Sequence, residues 1–275
     1  KTVFTTHATM LGRTLAGNGR DLYAELSEIN PDTEAYRYGI QAKYTLERAS
    51  AQQAHIFTTV SEITAIEAEK ILGRKPEVLV LNGLDVQRFP TLEENTIKHI
   101  TSRERIREFL TYHFFPHYTF NLNHTLFLFI VGRYEFKNKG IDVFIKALAK
   151  LNETLKQEKT DRTVCVLFWI PQPNQGLQVQ LLENKNYYQH IKNVVETNSS
   201  TLIKKIVSDF VSQQDPLKES IFTKEFLDEM KKDILQFKRV GKPLICTHKL
   251  NDSQHDAIFQ TLLNTGLDNK EDDRV

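Results

Sequence analysis

The chain has 275 residues, of which 40% are hydrophobic, 26% charged and 10% aromatic, and this composition predicts a globular protein of about two domains at roughly 150 residues each. Its 36 Lys and Arg against 35 Asp and Glu leave a net charge of +1, which disfavours nucleic acid or an anionic membrane as the main partner. With 11 Gly and 8 Pro the chain is not fibrous, and its longest apolar run, residues 126–132, is too short to span a bilayer.

The first part of the chain predicts alternating strands and helices. Strands rich in β-branched and aromatic residues are predicted over residues 1–6, 55–60 and 77–81. Helices are predicted up to residue 15 and then over 21–29, 31–54 and 62–72, the last capped by Ser61. Strand, helix and strand at this spacing indicate an α/β fold with a parallel sheet.

The pattern restarts after a connector. Residues 91–112 predict a charged amphipathic helix, and residues 113–124 an aromatic-rich connection. Buried strands are then predicted over 126–131 and 163–170, with a helix over 141–157 between them. We therefore place a boundary between two Rossmann-like α/β domains, residues 1–121 and 122–275.

A helical insertion is predicted within the second domain, over residues 175–239, where no strand signal occurs. Its apolar residues recur at helical spacing: Leu202, Ile203, Ile206, Val207, Phe210 and Val211, then Phe222, Phe226, Met230 and Ile234. Two interpretations remain open: a subdomain packed on its own sheet, or a helical hairpin whose apolar stripe meets another subunit. An extended segment over 243–248 and a helix over 252–263 follow.

The two cysteines, Cys165 and Cys246, both lie in apolar runs. They predict reduced thiols in the core of a cytoplasmic protein and exclude a disulfide framework or a Cys-based zinc site. The chain begins without Met and stops without a closing element. We expect it to be an internal fragment of a longer protein.

The strongest local signal is the loop after the strand at 126–131, which carries Arg133 and Lys139 ahead of a helix that opens at Gly140. Loops at the carboxyl edge of a parallel sheet bind ligands, and a helix amino terminus attracts anions. The two cations would converge there on a diphosphate leaving group and neutralise it without a metal. The alternative is a solvated basic loop in which Arg133 pairs with Glu135.

A second strand-end loop lies at residues 5–13, where His7 and Arg13 follow the first strand. His7 would bond a substrate hydroxyl, Arg13 would reach the same phosphate, and Gly12 would allow a close backbone approach. Alternatively, His7 caps a helix and Arg13 is a surface residue. Asn82 ends the third strand and either bonds a sugar or forms an Asx turn, the turn being favoured.

Other motifs fail on inspection. Gly17-Asn18-Gly19 begins a dinucleotide fingerprint, but Leu22 occupies its last position and no strand leads into it. His113 and His117 have a spacing of four, but Pro116 between them breaks a helix. We interpret them as connector histidines, and no metal site is predicted.

Together, the motifs resemble glycogen synthase of the animal and fungal type, a family of retaining glycosyltransferases (family 3). The resemblance is dense over residues 5–151 and weak near the end. It rests on the segments TTHATMLGR (5–13), ERAS (47–50), FTTVSEIT (57–64), RKP (74–76), NGL (82–84), LFLFIVGRYEF (126–136), NKG (138–140), ICTH (245–248) and DDRV (272–275).

The resemblance implies a GT-B fold of two Rossmann-like domains and a metal-independent reaction in the cleft between them. Such enzymes extend an α-1,4-glucan from a nucleotide-glucose, UDP-glucose in this type. By resemblance, Arg133 and Lys139 hold the donor diphosphate and stabilise its departure, and Arg13 contacts the same phosphates. His7 lies at the sugar, with its carbonyl facing the anomeric carbon and its ring on a sugar hydroxyl. Asn82 belongs to the donor-binding set.

The family also builds a tetramer from long inserted helices, which favours an oligomeric role for residues 175–239. Because the family's glycine-rich donor loop and acidic donor-site residues would lie outside residues 1–275, we expect this fragment to be inactive alone. Two alternatives stay open: a GT-B transferase with another polysaccharide acceptor, and an oligomerisation module.

Overall fold

A computed structural model of the protein describes residues 1–212 and 222–275. The chain forms two compact units, Lys1–Thr91 and Leu92–Val275. The helix that follows residue 91 thus packs within the second unit, whereas the sequence analysis placed it in the first domain. The domain boundary at residues 121 and 122 stays a prediction.

The first unit contains three strands and five α-helices among its described elements. In chain order these are β1 (Val3–Thr6), α1 (Met10–Gly17), α2 (Leu22–Glu25), α3 (Pro31–Arg37), α4 (Gln41–Gln53), β2 (Ile56–Thr59), α5 (Glu62–Leu72) and β3 (Val78–Leu79). The strands form a parallel sheet in the order β1-β2-β3, with Thr6 opposite Thr59 and Thr59 opposite Leu79. The predicted parallel sheet is therefore confirmed, and the carboxyl ends of its strands share one edge.

The core of this unit lies between the sheet and its helices. Phe57 of β2 is fully buried and its ring stacks on Phe4 of β1 at 5.8 Å. The helices contribute buried aliphatic side chains and the Tyr44 ring to the same cluster. α5 is bounded as predicted, because Ser61 Oγ accepts a hydrogen bond from Thr64 N–H and Gly73 closes the helix at φ 74°.

The single helix predicted over residues 31–54 is wrong. α3 and α4 are separate helices, because Gly39 adopts a left-handed φ of 65° and ends α3. Gly39 N–H donates to Tyr36 O and Ile40 N–H to Ala35 O, which is the Schellman pattern of a helix C-terminus. Glycine tolerates this conformation without strain.

The third strand is shorter than predicted, and no turn follows it. β3 comprises only Val78 and Leu79, and residues 80–85 are irregular and exposed. Gly83 does not adopt a positive φ. The Asx turn predicted at Asn82 is wrong, because the Asn82 side chain accepts no hydrogen bond from a nearby backbone amide among the described residues.

Within its described residues, the second unit contains two further sheets. Its elements are α6 (Leu92–Phe114), β4 (Thr125–Val131), α7 (Ile141–Gln157), β5 (Thr163–Trp169), β6 (Asn174–Leu177), α8 (Val179–Val211), α9 (Lys224–Phe237), β7 (His248–Leu250) and α10 (Ala257–Asn264). β4 and β5 pair in parallel from Thr125 opposite Thr163 to Val131 opposite Trp169. The predicted strand-helix-strand unit is confirmed, with α7 at its predicted bounds.

The core of the second unit is built from the inner face of α7. Ile141, Ile145 and Leu148 are buried against α10, whose Ile258 and Leu262 belong to the same cluster. Side chains of β4 and β5 pack against this cluster. The apolar spacing of α7, which placed the helix from sequence, is thus the surface that joins helix and sheet.

The region predicted as an uninterrupted helical insertion begins with a strand. β6 pairs antiparallel with β7, Asn174 opposite Leu250 and Leu177 opposite His248. The extended segment predicted over 243–248 is displaced accordingly, because the strand lies at His248–Leu250. The predicted helices are present, but the part of the insertion at residues 213–221 lies outside the described residues.

The long helix α8 packs against α6 and α9. Met230 of α9 is buried, whereas four apolar side chains at the end of α8 are exposed: Ile203, Val207, Phe210 and Val211. The predicted apolar stripe is thus only partly covered by the residues that the structure describes. No helix within residues 1–212 and 222–275 has the length and apolar character needed to cross a bilayer.

Candidate functional site

His7 and Arg13 lie at the carboxyl edge of the first sheet. His7 directly follows β1, and Arg13 lies in the first turns of α1, its N–H bonded to Thr9 O. Both side chains are exposed, and within the described ranges neither has a hydrogen-bond or ion-pair partner. The alternative in which His7 caps the helix is wrong, since Thr9 caps α1 by accepting from Gly12 N–H at 2.9 Å.

Asn82 belongs to the same unit and follows β3, two strands from β1. Its side chain is exposed, and no partner for it occurs in the described part of the chain. The strand order places the ends of β1 and β3 at the same edge, roughly 10 Å apart at about 4.8 Å per strand. The irregular segment at 80–85 carries Asn82 beyond that edge.

The loop that carries His7 is held by hydrogen bonds to side chains of two neighbouring helices. Two carboxylates, Glu47 of α4 and Glu67 of α5, accept hydrogen bonds from Thr6, Thr9 and Met10 around His7. Glu67 is 3% exposed. A Cβ on Gly12 would lie only 2.3 Å from Glu67 Oε1. The space beside Gly12 is therefore occupied by a buried side-chain carboxylate, whereas the sequence analysis assigned it to a close backbone approach.

Arg133 and Lys139 both lie on one loop of the second unit, residues 132–140 between β4 and α7. Both side chains are exposed. The Lys139 stem lies over Gly132, where an added Cβ would be 3.8 Å from Lys139 Cγ. Arg133 pairs with Glu135 at 2.9 Å, with its side chain 75% exposed. The Arg133–Glu135 contact of the alternative interpretation is thus present. An exposed ion pair stabilises by only about 0–1 kcal/mol, so another anion can readily replace Glu135.

The loop is shaped by its own backbone and two aromatic anchors. Phe136 O accepts from Ile141 N–H at 3.1 Å, so the first amide of α7 is already bonded. The Phe136 ring packs on the buried cluster of α7 and α10. Tyr134 OH accepts from Ala257 N–H at 3.1 Å, and burial followed by a hydrogen bond with Asp256 raises the pKa of Tyr134.

The two histidines interpreted as connector residues both contact backbone carbonyls, although His113 lies in the last turn of α6 and only His117 in the connector. His113 Nε2 lies 2.9 Å from Leu244 O, and His117 Nδ1 lies 3.0 Å from Gly241 O. Burial lowers the pKa of His113 to about 4. No group of three or more His, Cys, Asp or Glu side chains that could hold a metal ion occurs among the described residues. That the reaction needs no metal stays a prediction.

Both cysteines are free, Cys165 buried and Cys246 half-buried, and burial raises the pKa of the Cys165 thiol to about 12. Cys165 and Cys246 also line a cavity of about 740 Å³ in the second unit beside β5 and α6. Neither Arg133 nor Lys139 lines this cavity. This cavity and the candidate phosphate loop are therefore different places, and the chemistry of the cations favours the loop.

Glu47, Glu67 and Tyr134 were missed as site-supporting residues by sequence reasoning. A usable signal existed for Glu67. The buried positions of α5 follow helical spacing and include Thr64, Glu67, Ala68 and Ile71, so a carboxylate stands on the core face of an otherwise apolar stripe. A charged residue at such a position needs partners.

The sequence model of the glycogen synthase family matches residues 1–275, the whole chain. The chain belongs to the glycogen synthase family. Among its relatives, the liver glycogen [starch] synthase of Rattus norvegicus is 40% identical over 274 residues, which is 100% of this chain and 39% of the relative. The glycogen [starch] synthase of Caenorhabditis elegans is 40% identical over 278 residues, and that of Neurospora crassa 36%, with 41% and 39% of their lengths covered.

The chain therefore spans about two fifths of the length of these glycogen synthases. The recognition made from its motifs is confirmed, and so is the mixed α/β architecture with parallel sheets. Membership of the family does not by itself test the roles of His7, Arg13, Asn82, Arg133 and Lys139. Those roles stay predictions.

Proposed function

We propose that the full-length protein containing this chain is a retaining glucosyltransferase with a GT-B fold, which transfers glucose from UDP-glucose to the non-reducing end of an α-1,4-glucan. The observation that carries the proposal is the pair of exposed cations, Arg133 and Lys139, on one strand-end loop of a glycogen synthase family member. The relatives' names point to glycogen as the acceptor. Transfer to a different polysaccharide instead of glycogen is the alternative outcome of the test.

The proposed chemistry is stabilisation of a departing diphosphate. Arg133 would exchange its exposed contact with Glu135 for a phosphate oxygen, and Lys139 would add a second positive charge from the same loop. Donors aimed at charge that develops in the transition state contribute about 2–4 kcal/mol each. Arg13, exposed at the start of α1, would bind the same phosphates.

His7 is assigned to the sugar. The residue directly follows β1, and its ring is exposed. By resemblance to the family, the ring would bond a sugar hydroxyl and the His7 backbone carbonyl would face the anomeric carbon. The acceptor hydroxyl would then attack from the face that the UDP leaves, the departing phosphate taking its proton. Asn82, without a partner in the described part of the chain, completes the proposed donor set.

The partner proposal concerns the exposed apolar end of α8. Ile203, Val207, Phe210 and Val211 are 54–79% exposed, and we propose that another copy of the protein covers them in a tetramer. The free cysteines support a reducing, cytoplasmic location. Light scattering on the full-length protein tests the assembly, since a strict monomer contradicts it.

The function is tested by measuring glucose transfer from UDP-glucose and ADP-glucose onto glycogen by the full-length protein, with EDTA present. We expect transfer from UDP-glucose, undiminished by the chelator, and a product in the α-configuration. No transfer to glycogen from either donor overturns the proposal, and loss of activity in EDTA overturns the metal-independent mechanism. Residues 1–275 alone, assayed in parallel, are expected to be inactive.

A further inference from the structure

The segment that carries His7 is held by two carboxylates from other helices. Glu47 Oε1 accepts from the Thr6 hydroxyl at 3.0 Å, and Glu47 Oε2 accepts from Met10 N–H at 2.8 Å. One side chain of α4 therefore joins the last residue of β1 to the first residue of α1. These contacts bracket His7 on both sides without touching it.

Glu67 fixes the middle of the same segment. Its Oε1 accepts from Thr9 N–H at 2.8 Å and from the Thr9 hydroxyl at 2.6 Å. Because a hydroxyl has one proton, donation to Glu67 leaves its lone pairs for Gly12 N–H, which it accepts at 2.9 Å. The carboxylate thus sets the direction of the N-cap hydroxyl as well as the position of the backbone.

The remaining carboxylate oxygen is also used. Tyr23 OH donates to Glu67 Oε2 at 3.2 Å, and burial followed by the Glu67 charge raises the pKa of Tyr23 to about 12. Gly12 is the residue that admits Glu67, since a Cβ there would lie 2.3 Å from Oε1. Burying a carboxylate at 3% exposure is costly unless its oxygens are bonded. Here three donors bond them.

The pattern leaves His7 as the one residue of this turn that is both exposed and free of partners within the described ranges, next to neighbours that are fixed. Thr6 is also held through its carbonyl, which accepts from the Thr59 hydroxyl at 2.8 Å. A reacting group must be held within about 0.5 Å of its productive position. A displacement of about 1 Å costs about 10²-fold in rate.

We propose that Glu47 and Glu67 are positioning residues that fix His7 for glucose transfer, acting through Thr6, Thr9 and Met10. The inference rests on the proposed function of His7. It adds that the contribution of His7 depends on two carboxylates located 40 and 60 residues further along the chain.

The test compares two Glu67 variants of nearly equal size in the full-length protein. Glu67→Gln keeps an oxygen for Thr9, whereas Glu67→Met removes both acceptors. We expect Glu67→Met to lower kcat for transfer from UDP-glucose by about 10²-fold with the donor KM changed less than about 3-fold, and Glu67→Gln to restore kcat to within about 5-fold of wild type. Equal kcat values for the two variants overturn the proposal.

A matched control is available at the other end of the same sheet. Glu77 Oε2 accepts from Phe57 N–H at 2.7 Å, near the amino ends of β2 and β3. Glu77→Met removes this backbone contact and the ion pair of Glu77 with Arg74, both far from His7. We expect it to leave kcat within about 3-fold of wild type. A loss equal to that of Glu67→Met would mean that general destabilisation explains both.

A cycle with His7→Ala separates positioning from stability. If Glu67 acts through His7, Glu67→Met lowers kcat by less than about 3-fold in the His7→Ala background. A full 10²-fold loss there overturns the proposal. Glu47→Met replaces Glu67→Met in every arm if the latter fails to fold.

Failure of the inference and failure of the proposed function give different results. If His7→Ala reduces kcat and neither Glu67→Met nor Glu47→Met does, the inference is wrong and the function stands. If His7→Ala transfers glucose at the wild-type rate, the assigned role of His7 is wrong. Hydrogen exchange of the Thr9 and Met10 amides tests directly whether Glu67 holds this segment. We expect both amides to exchange faster in Glu67→Met than in wild type, and equal or slower exchange overturns the positioning role.

Discussion

The two strand-end loops perform related tasks in the proposed reaction but are stabilised in opposite ways. The loop after β1 has three residues, 7–9, and is held by side chains of α4 and α5. The loop after β4 has nine residues, 132–140, and is held by its own backbone turns and by Phe136 and Tyr134. A short loop has too few backbone groups to bond itself, so other elements must bond it.

This difference has a consequence for sensitivity to substitution. In the first loop, the residues that matter for geometry include Glu47 and Glu67, which lie outside the loop. In the second, the residues proposed to act, Arg133 and Lys139, lie within the self-supporting segment and are exposed. Substitution there is expected to change chemistry with little change in fold.

The largest effect is expected from substitutions in the second loop, which test whether activity can be lost there with little change in fold. Arg133→Ala and Lys139→Ala should each remove about 2–4 kcal/mol of transition-state stabilisation, measured as kcat/KM for transfer from UDP-glucose by the full-length protein. Lys137→Ala, an exposed cation on the same loop, is the control and should change kcat/KM by about 2-fold or less. Wild-type turnover in either of the first two variants would end the assignment.

An effect of intermediate size is expected when a glycine at each of the two loops is replaced by alanine. Gly12→Ala should destabilise the first unit by about 1–3 kcal/mol, since its Cβ would collide with Glu67. Gly132→Ala should change the free energy of unfolding by about 0.5 kcal/mol or less, because its nearest neighbour, Lys139 Cγ, would be at 3.8 Å. Chemical denaturation measures both.

Gly17→Ala controls for helix propensity, because it lies in α1 with open space around the added Cβ. It should be neutral or stabilising by up to about 1 kcal/mol. If Gly12→Ala proves as harmless as Gly17→Ala, the packing of Glu67 against α1 is looser than the structure indicates.

The smallest expected effect concerns the ion pair of the second loop. Glu135→Gln should change the free energy of unfolding by about 0–1 kcal/mol, because Arg133 is exposed. It should also tighten UDP binding, by at most about 5-fold, because Arg133 loses an internal competitor for phosphate. Calorimetric titration with UDP measures this, and weaker binding would show that Glu135 orients Arg133 instead.

Much of the fold could be predicted from local patterns. The apolar run before Arg133 indicated β4, the spacing of α7 gave its bounds, and Ser61 marked the start of α5. Gly39 is a local signal for a helix end, but the strong helical pattern on both sides of it favours one continuous helix. β6 was missed because its four residues carry no apolar alternation and are all exposed. Its pairing with β7 depends on a partner more than 70 residues away in the chain.

The candidate site also has a part that the sequence predicts and a part that only the tertiary structure shows. By itself, the sequence predicted which residues are candidates for the chemistry, namely His7, Arg13, Arg133 and Lys139, because strand ends, loops and residue types are local properties. Only the tertiary structure decided what holds them. Glu67 meets Thr9 across 58 residues and Glu47 meets Met10 across 37, and such contacts arise when strands β1 and β2 pair and bring their helices together. No local pattern encodes that pairing, so the partners of Glu47 and Glu67 appear only in the folded chain.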